Sequence, residues 1–246
     1  MPDKDAPILI ITALREELAA ICAKLKPMAM ETVDGIPCYT GKMGKRSLVI
    51  VRCGMGADRA RTAAGMMIHS WNPSGLIVAG FAGALTAEVH PGDIVVANRL
   101  FDCNEGVDLI PTLLFPHLTA PNLCVHVGGM ASSSHVVSTT KDRIELAKRT
   151  NNSIMVEMET AGAAQEAERL GVPWAALRAI SDGIDDEMPF DFAGMTDQFG
   201  EVNRLRVIGA LIGKPWKLPA LLQLAKRSRQ AADSLSSAVY AACAIT

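Results

Sequence analysis

The sequence predicts an α/β fold built on a largely parallel or mixed central sheet. Short β-rich apolar blocks alternate with helical patterns through the first two thirds of the chain. The blocks are bounded by Gly, Pro or charged residues, as buried strands are. At 246 residues the chain can bury a substantial core as one unit, so a single domain, 1–246, is expected, with a helical extension from about residue 201.

The expected strands are Pro7 to Thr12, Ser47 to Cys53, Gly75 to Gly80, Asp93 to Asn98, Val136 to Ser138 and Trp174 to Ser181. Between them, Leu14 to Lys26 carries an apolar stripe at Leu14, Leu18, Ile21, Cys22 and Leu25, with Thr12 as N-cap. Asp58 to Ser70 has the same character. Met158 to Leu170 places Ala161, Ala164, Ala167 and Leu170 on one side and stops at Gly171 and Pro173. The segment Arg99 to Pro121 holds three prolines around Leu113, Leu114 and Phe115 without a clean period, and reads as a long apolar loop. Glu201 to Ile212 and Leu218 to Ala244 read as two helices parted by Lys214-Pro215-Trp216.

Composition excludes several classes of function. A formal charge of -2 gives no broad attraction for nucleic acid or an anionic membrane. No apolar run is long enough to span a bilayer, and the short N-terminal apolar block is too brief for a secretory signal, so a cytoplasmic location is expected. The six cysteines form no C-x-x-C pair and read as reduced. Cys124 and His126 are spaced as zinc ligands can be, but no second pair joins them, so Cys124 reads as a small buried thiol and no metal is expected.

Three glycine-containing turns follow strands: Gly54-Met55-Gly56, Gly80-Phe81-Ala82-Gly83 and Pro91-Gly92-Asp93. Each is either a tight turn or a place where backbone N–H groups approach a ligand. The first is no dinucleotide fingerprint, because Arg59 stands at its third glycine position, and no cofactor is expected.

Glu157-Met158-Glu159 brings two carboxylates to the start of a helix. Capping accounts for one of them; the other suits the vicinal hydroxyls of a ribose. Asp182 follows an apolar strand, where it is either an Asx-turn residue or a partly buried acid able to donate a proton. Arg178, on the same strand, is an ion-pair partner for these acids or an anion ligand.

Taken together, the strand-turn-Glu opening at residues 8 to 18, Cys53-Gly54-Met55-Gly56, Gly80 to Gly83, Pro91 to Val96, Val156 to Glu159 and Arg178 to Asp182 resemble the purine nucleoside phosphorylase and methylthioadenosine/S-adenosylhomocysteine nucleosidase superfamily, in family order across residues 8 to 192. The resemblance implies a three-layer fold, a mixed and mostly parallel sheet flanked by helices, that cleaves the N-glycosidic bond of a purine nucleoside. It implies that Asp182 protonates purine N7, Glu159 binds the ribose hydroxyls with Glu157 and Met158 beside it, Glu17 activates water, and Arg178 helps hold that water. Val136 and Val137 would contact the purine. Leu14, Met55 and Phe190 would surround the 5′ substituent, and segment 99–121 would reach a neighbouring subunit in a homodimer.

The resemblance departs at Phe81, where the family commonly carries a Ser that contacts phosphate or the attacking water; a phenyl ring offers no such hydroxyl. Inorganic phosphate is therefore a possible co-substrate alongside water. The C-terminal helices and apolar pocket look like the hopanoid-associated phosphorylase branch, whose nucleoside carries a large apolar 5′ group. The competing readings are a nucleoside-binding or storage protein of the same fold and an interaction module built on the C-terminal helices.

Overall fold

The computed structural model describes residues 6–25, 29–44, 46–113, 115, 118–119, 122–186 and 218–245. Phe190, the expected helix Glu201 to Ile212 and the Lys214-Pro215-Trp216 break lie outside the described residues.

In chain order the elements are β1 (Ile8–Thr12), α1 (Arg15–Leu25), β2 (Ala29–Val33), β3 (Ile36–Met43), β4 (Arg46–Arg52), α2 (Ala57–Trp71), β5 (Gly75–Ala84), β6 (Ile94–Asp102), β7 (Val107–Leu109), β8 (Val125–Ser132), α3 (Thr140–Arg149), β9 (Met155–Glu157), α4 (Thr160–Arg169), β10 (Trp174–Asp182) and α5 (Leu218–Ile245). They form one mixed sheet. β4, β1, β5 and β10 run parallel at its centre, and the β2–β3–β4 meander extends one side with antiparallel pairs. On the other side, β10 pairs antiparallel with β6, β6 parallel with β8, β8 parallel with β9, and β9 antiparallel with β5. Because β10 also pairs with β5, these five strands close on themselves as a small barrel from which the rest of the sheet extends.

Strand periodicity explains the layers. Along β1, Leu9 and Ile11 enter one apolar cluster and Ile8 and Ile10 the other; along β5, Leu76 and Val78 alternate in the same way with Ile77 and Ala79. A strand buried on both faces must be covered on both. Helices α2 and α4 cover the first face and α1 and α5 the second. The α2–α4 contact is close because α4 is Ala-rich and because Gly162, without a side chain, lies against the backbone of Ala57. Helix α5 buries Ala231, Leu235, Ala238, Val239 and Ala242 at helical spacing, so the C-terminal segment is a core layer.

Several expectations change. Val136 to Ser138 is not a strand: the chain pairs earlier, as β8, and then leaves the sheet. The sequence from residue 99 is not one loop either, since Arg99 to Asp102 completes β6 and Val107–Leu109 pairs with it as β7. Beyond β7 the described residues fold back onto their own chain, with Phe115 and Leu118 buried. Gly80-Phe81-Ala82-Gly83 lies inside β5 rather than in a turn. Thr12 does not cap α1, because its hydroxyl donates to the Val51 carbonyl.

Candidate active site

The carboxyl ends of β1, β5, β9 and β10 converge, and with residues 135–137 between β8 and α3 they line a cavity of about 150 Å³. Crevices beyond strand ends are where α/β folds hold ligands.

Glu17 enters from α1. Its position, three residues past Leu14, lets one carboxylate oxygen accept from the N–H groups of Ala13 (2.9 Å) and Leu14 (2.8 Å), replacing the missing Thr12 cap. The other oxygen accepts from the Phe81 N–H at 2.7 Å, which ties α1 to β5. Glu17 is 1% exposed. Burial holds its carboxyl above the usual carboxylate range, against the opposing pull of Arg178 and of these N–H groups.

The two carboxylates at the start of α4 divide their work. One oxygen of Glu157 accepts from the backbone N–H of Glu159 (2.9 Å) and Thr160 (2.8 Å) and from the Thr160 hydroxyl (2.8 Å), and the same oxygen pairs with Arg178. Glu157 is thus the helix cap. Its second oxygen is buried without a partner. Glu159 makes no cap of its own; it accepts from the Gly56 N–H at 3.1 Å and stands 3.8 Å from Arg178. Gly56 has φ 104°, a conformation that suits glycine, and it turns this N–H toward the acid. Burial and the neighbouring Glu157 push Glu159 up to about 7, with Arg178 opposing.

Arg178 lies behind the cavity wall. It pairs with Glu157, donates to the Thr160 hydroxyl at 2.7 Å and to the Phe81 carbonyl at 3.4 Å. It faces Gly80 across the β5–β10 ladder. A side chain at Gly80 would meet both the Arg178 guanidinium and a Glu17 oxygen, the latter at 2.8 Å, so the glycine makes room for the charge cluster.

Asp182 closes β10 opposite Gly83, where a Cβ would stand 2.8 Å from its carboxylate. One oxygen pairs with Arg143 from α3, and the other accepts from the Ser181 hydroxyl at 2.6 Å. Arg143 is itself 1% exposed and also donates to the carbonyls of Gly183 (2.7 Å), Val137 (3.2 Å) and Ala84 (3.3 Å). Burial raises Asp182 above the usual range despite Arg143 and Ser181, which favours a proton on this carboxyl.

Of the residues singled out in the sequence, Asp182, Glu17, Glu157, Met158, Glu159, Val136, Val137, Phe81, Leu14 and Met55 all line this one cavity. Arg143, His135 and Ser181 line it too and were not anticipated. Ser181 was legible as the neighbour of Asp182. Arg143 looks in sequence like any helix arginine, and only the packing of α3 against the end of β10 gives it a role. Cys124 is exposed, not buried: it precedes the amino end of β8 instead of lying within the strand. No described helix is long and apolar enough to cross a membrane.

Comparison with known proteins agrees with this architecture. Over 209 residues the chain is 27% identical to a 5′-methylthioadenosine/S-adenosylhomocysteine nucleosidase of Staphylococcus epidermidis, covering 77% of this chain and 92% of the relative. The nucleosidase of Colwellia psychrerythraea, solved with adenine, superposes with a TM-score of 0.75 at 19% identity, over 99% of this chain and 97% of the other. Futalosine hydrolase of Helicobacter pylori superposes with a TM-score of 0.72 at 18% identity, over 98% and 99% of the two chains. Helix α5 therefore falls within the shared fold. A family model of the phosphorylase superfamily matches residues 7–212, which include β1 to β10 and every acid of the cavity. The chain belongs to the phosphorylase superfamily.

Proposed function

We propose that the chain is a nucleosidase that hydrolyses the N-glycosidic bond of a purine nucleoside, with adenine as the base and an apolar 5′ substituent. The observation that carries this reading is the meeting of Glu17, Glu157, Glu159 and Asp182 at one cavity, with both nearby arginines committed to ion pairs in its wall. A site rich in carboxylates stabilises a cationic, oxocarbenium-like sugar in the transition state.

In this reading the C1′–N9 bond breaks with its electron pair passing to the base, and protonated Asp182 gives its proton to N7. Glu159, steered by the Gly56 N–H, accepts the ribose hydroxyls, and the unpartnered oxygen of Glu157, which also lines the cavity, leaves one further acceptor. Water adds to C1′ and gives its proton to Glu17. Met55 stands beside the Gly56 that holds Glu159, so Met55, Leu14 and Phe81 supply apolar surface at the sugar end. Val136 and Val137 would flank the base.

Water is favoured over phosphate by charge. No lysine lines the cavity among the described residues, and the one arginine that does, Arg143, is spent on Asp182 and three carbonyls. A phosphate dianion would enter a field of carboxylates with no free cation to receive it. The names of the curated relatives and the adenine-bound neighbour support both the hydrolytic reading and the base.

A second reading, nucleoside binding without turnover, is favoured by Glu17, whose two oxygens already accept three backbone N–H groups. The experiment follows free base from adenosine, methylthioadenosine and a 5′-alkylated adenosine, with and without phosphate. Release that ignores phosphate supports hydrolysis. Strict phosphate dependence overturns it, and saturable binding with no release establishes the second reading.

A further inference from the structure

Away from this cavity, at the amino ends of β6 and β8, the parallel register sets Ile94 beside Val125 and Val95 beside His126, and the Ile94 N–H donates to the Cys124 carbonyl at 2.9 Å. Asp93 and Cys124, one residue earlier on each strand, are thereby neighbours. Strand alternation turns Cys124 and His126 to the same side. The His126 Nε2 atom lies 3.0 Å from an Asp93 carboxylate oxygen and 3.4 Å from the Cys124 sulfur, and the three donor atoms all lie within 4.8 Å of one another.

These separations match a metal site. Tetrahedral zinc with ordinary bond lengths spaces a nitrogen and an oxygen about 3.4 Å apart and a nitrogen and a sulfur about 3.6 Å apart. Sulfur and carboxylate oxygen, which the ion would hold about 3.6 Å apart, lie within 4.8 Å, so rotation of the Cys124 or Asp93 side chain would admit the ion. The Asp93 carboxylate is oriented by the backbone, since the same oxygen accepts from the His90 N–H at 2.9 Å, the outer support that metal-binding carboxylates use. The His90 ring, 72% exposed, places Nδ1 3.7 Å from that oxygen; it stands outside the cluster of three donor atoms and would have to rotate to take a fourth position. Thiolate with imidazole selects zinc over magnesium or calcium, which require oxygen donors.

We propose that Asp93, Cys124 and His126, completed by His90, form a zinc-binding site that clamps the start of β6 to the start of β8. Binding places the Cys124 sulfur on the metal as thiolate and releases its proton to solvent. The clamp is joined to the cavity through backbone: Gly92 N–H donates to the Ile180 carbonyl at 2.8 Å and Ile180 N–H to the Asp93 carbonyl at 2.9 Å, two residues before Asp182. The site stands independently of the proposed reaction.

Cobalt(II) serves as the spectroscopic probe for zinc on the full chain stripped of metal. One equivalent is expected to produce a sulfur-to-cobalt charge-transfer band and tetrahedral visible bands, both erased when zinc displaces it. Cys124→Ser should remove the charge-transfer band, and His126→Gln and Asp93→Asn should each weaken binding at least tenfold, while Cys103→Ser leaves the spectrum unchanged. His90→Ala should weaken binding about tenfold; unchanged affinity removes His90 from the ligand set. Zinc titration in two buffers of different ionisation enthalpy should show about one proton released. No charge-transfer band in the wild type, or one that survives in Cys124→Ser, overturns the site, and circular dichroism on each variant confirms that the fold is kept.

Discussion

Replacing Glu159 by Gln removes a charge from a buried cluster while keeping an acceptor for the Gly56 N–H. Burial and Glu157 lift this carboxyl from 4.5 to about 7, so the folded chain holds a proton here that the unfolded chain has given up. For a group raised on folding, stability is fully present below the unfolded value and is lost as pH rises through the folded one. A rise from 4.5 to about 7 corresponds to about 3 kcal/mol. The wild type should therefore match Glu159→Gln near pH 4.5 and fall progressively below it, with the gap levelling off above pH 7 at up to about 3 kcal/mol, or roughly 6–12 °C in melting temperature for a chain of this size. Urea unfolding of both proteins from pH 4.5 to 8.5 measures the gap. The same variant should bind a nucleoside analogue less tightly than the wild type above pH 7, where the ionised Glu159 offers two acceptor oxygens to the ribose hydroxyls and the amide offers one. A gap independent of pH would show that Glu159 is ionised at no net cost in the fold, and the charge argument for the cavity would fail.

Asp182→Asn should lower turnover by about 10²–10⁴ and, because it leaves the buried Arg143 without its carboxylate, should also lower the melting temperature; full activity in the folded variant would remove Asp182 as the acid. Arg143→Met strips the cation from a carboxyl that is 3% exposed and should cost about 3–5 kcal/mol at pH values where Asp182 is ionised. That loss should shrink as pH falls, because protonated Asp182 no longer needs the cation; a loss constant with pH would place the cost in packing instead. Gly80→Ala sets a methyl against Arg178 and, at 2.8 Å, against Glu17, and should destabilise by about 1–3 kcal/mol while weakening activity. A neutral result would mean that β5 and β10 can part without cost.

The sequence made the central strands legible because β1, β4, β5 and β10 are apolar runs with sharp ends, and α4 because its alanines repeat at helical spacing. It concealed β8, Val125–Ser132, which carries Gly128 and Gly129. A Cβ at the first would strike Ile154, and at the second would meet Arg99 at 2.8 Å. Close approach demanded residues with low strand preference. It also concealed β2, whose first four residues are exposed, because an edge strand needs no apolar pattern. Among the acids, the division between Glu157 as cap and Glu159 as the freer carboxylate was half visible: one cap was expected, but which residue supplied it depended on the turn at residues 157–160. Arg143 was beyond reach, since its partner lies 39 positions away on another element.

The ladder between β5 and β10 has a consequence for the order in which the protein is assembled. Its strands are separated in sequence by all of β6 to α4, and contacts so distant form slowly, because the intervening chain must first give up the entropy of an open loop. The same register that shuts the ring sets Arg178 against Gly80 and Asp182 against Gly83. Until that seam closes, Glu17 and Glu159 have no cation behind them and the pocket lacks Asp182. Completion of the barrel and completion of the candidate site are therefore one event, and a chain arrested before it would lack the site as well as part of its fold.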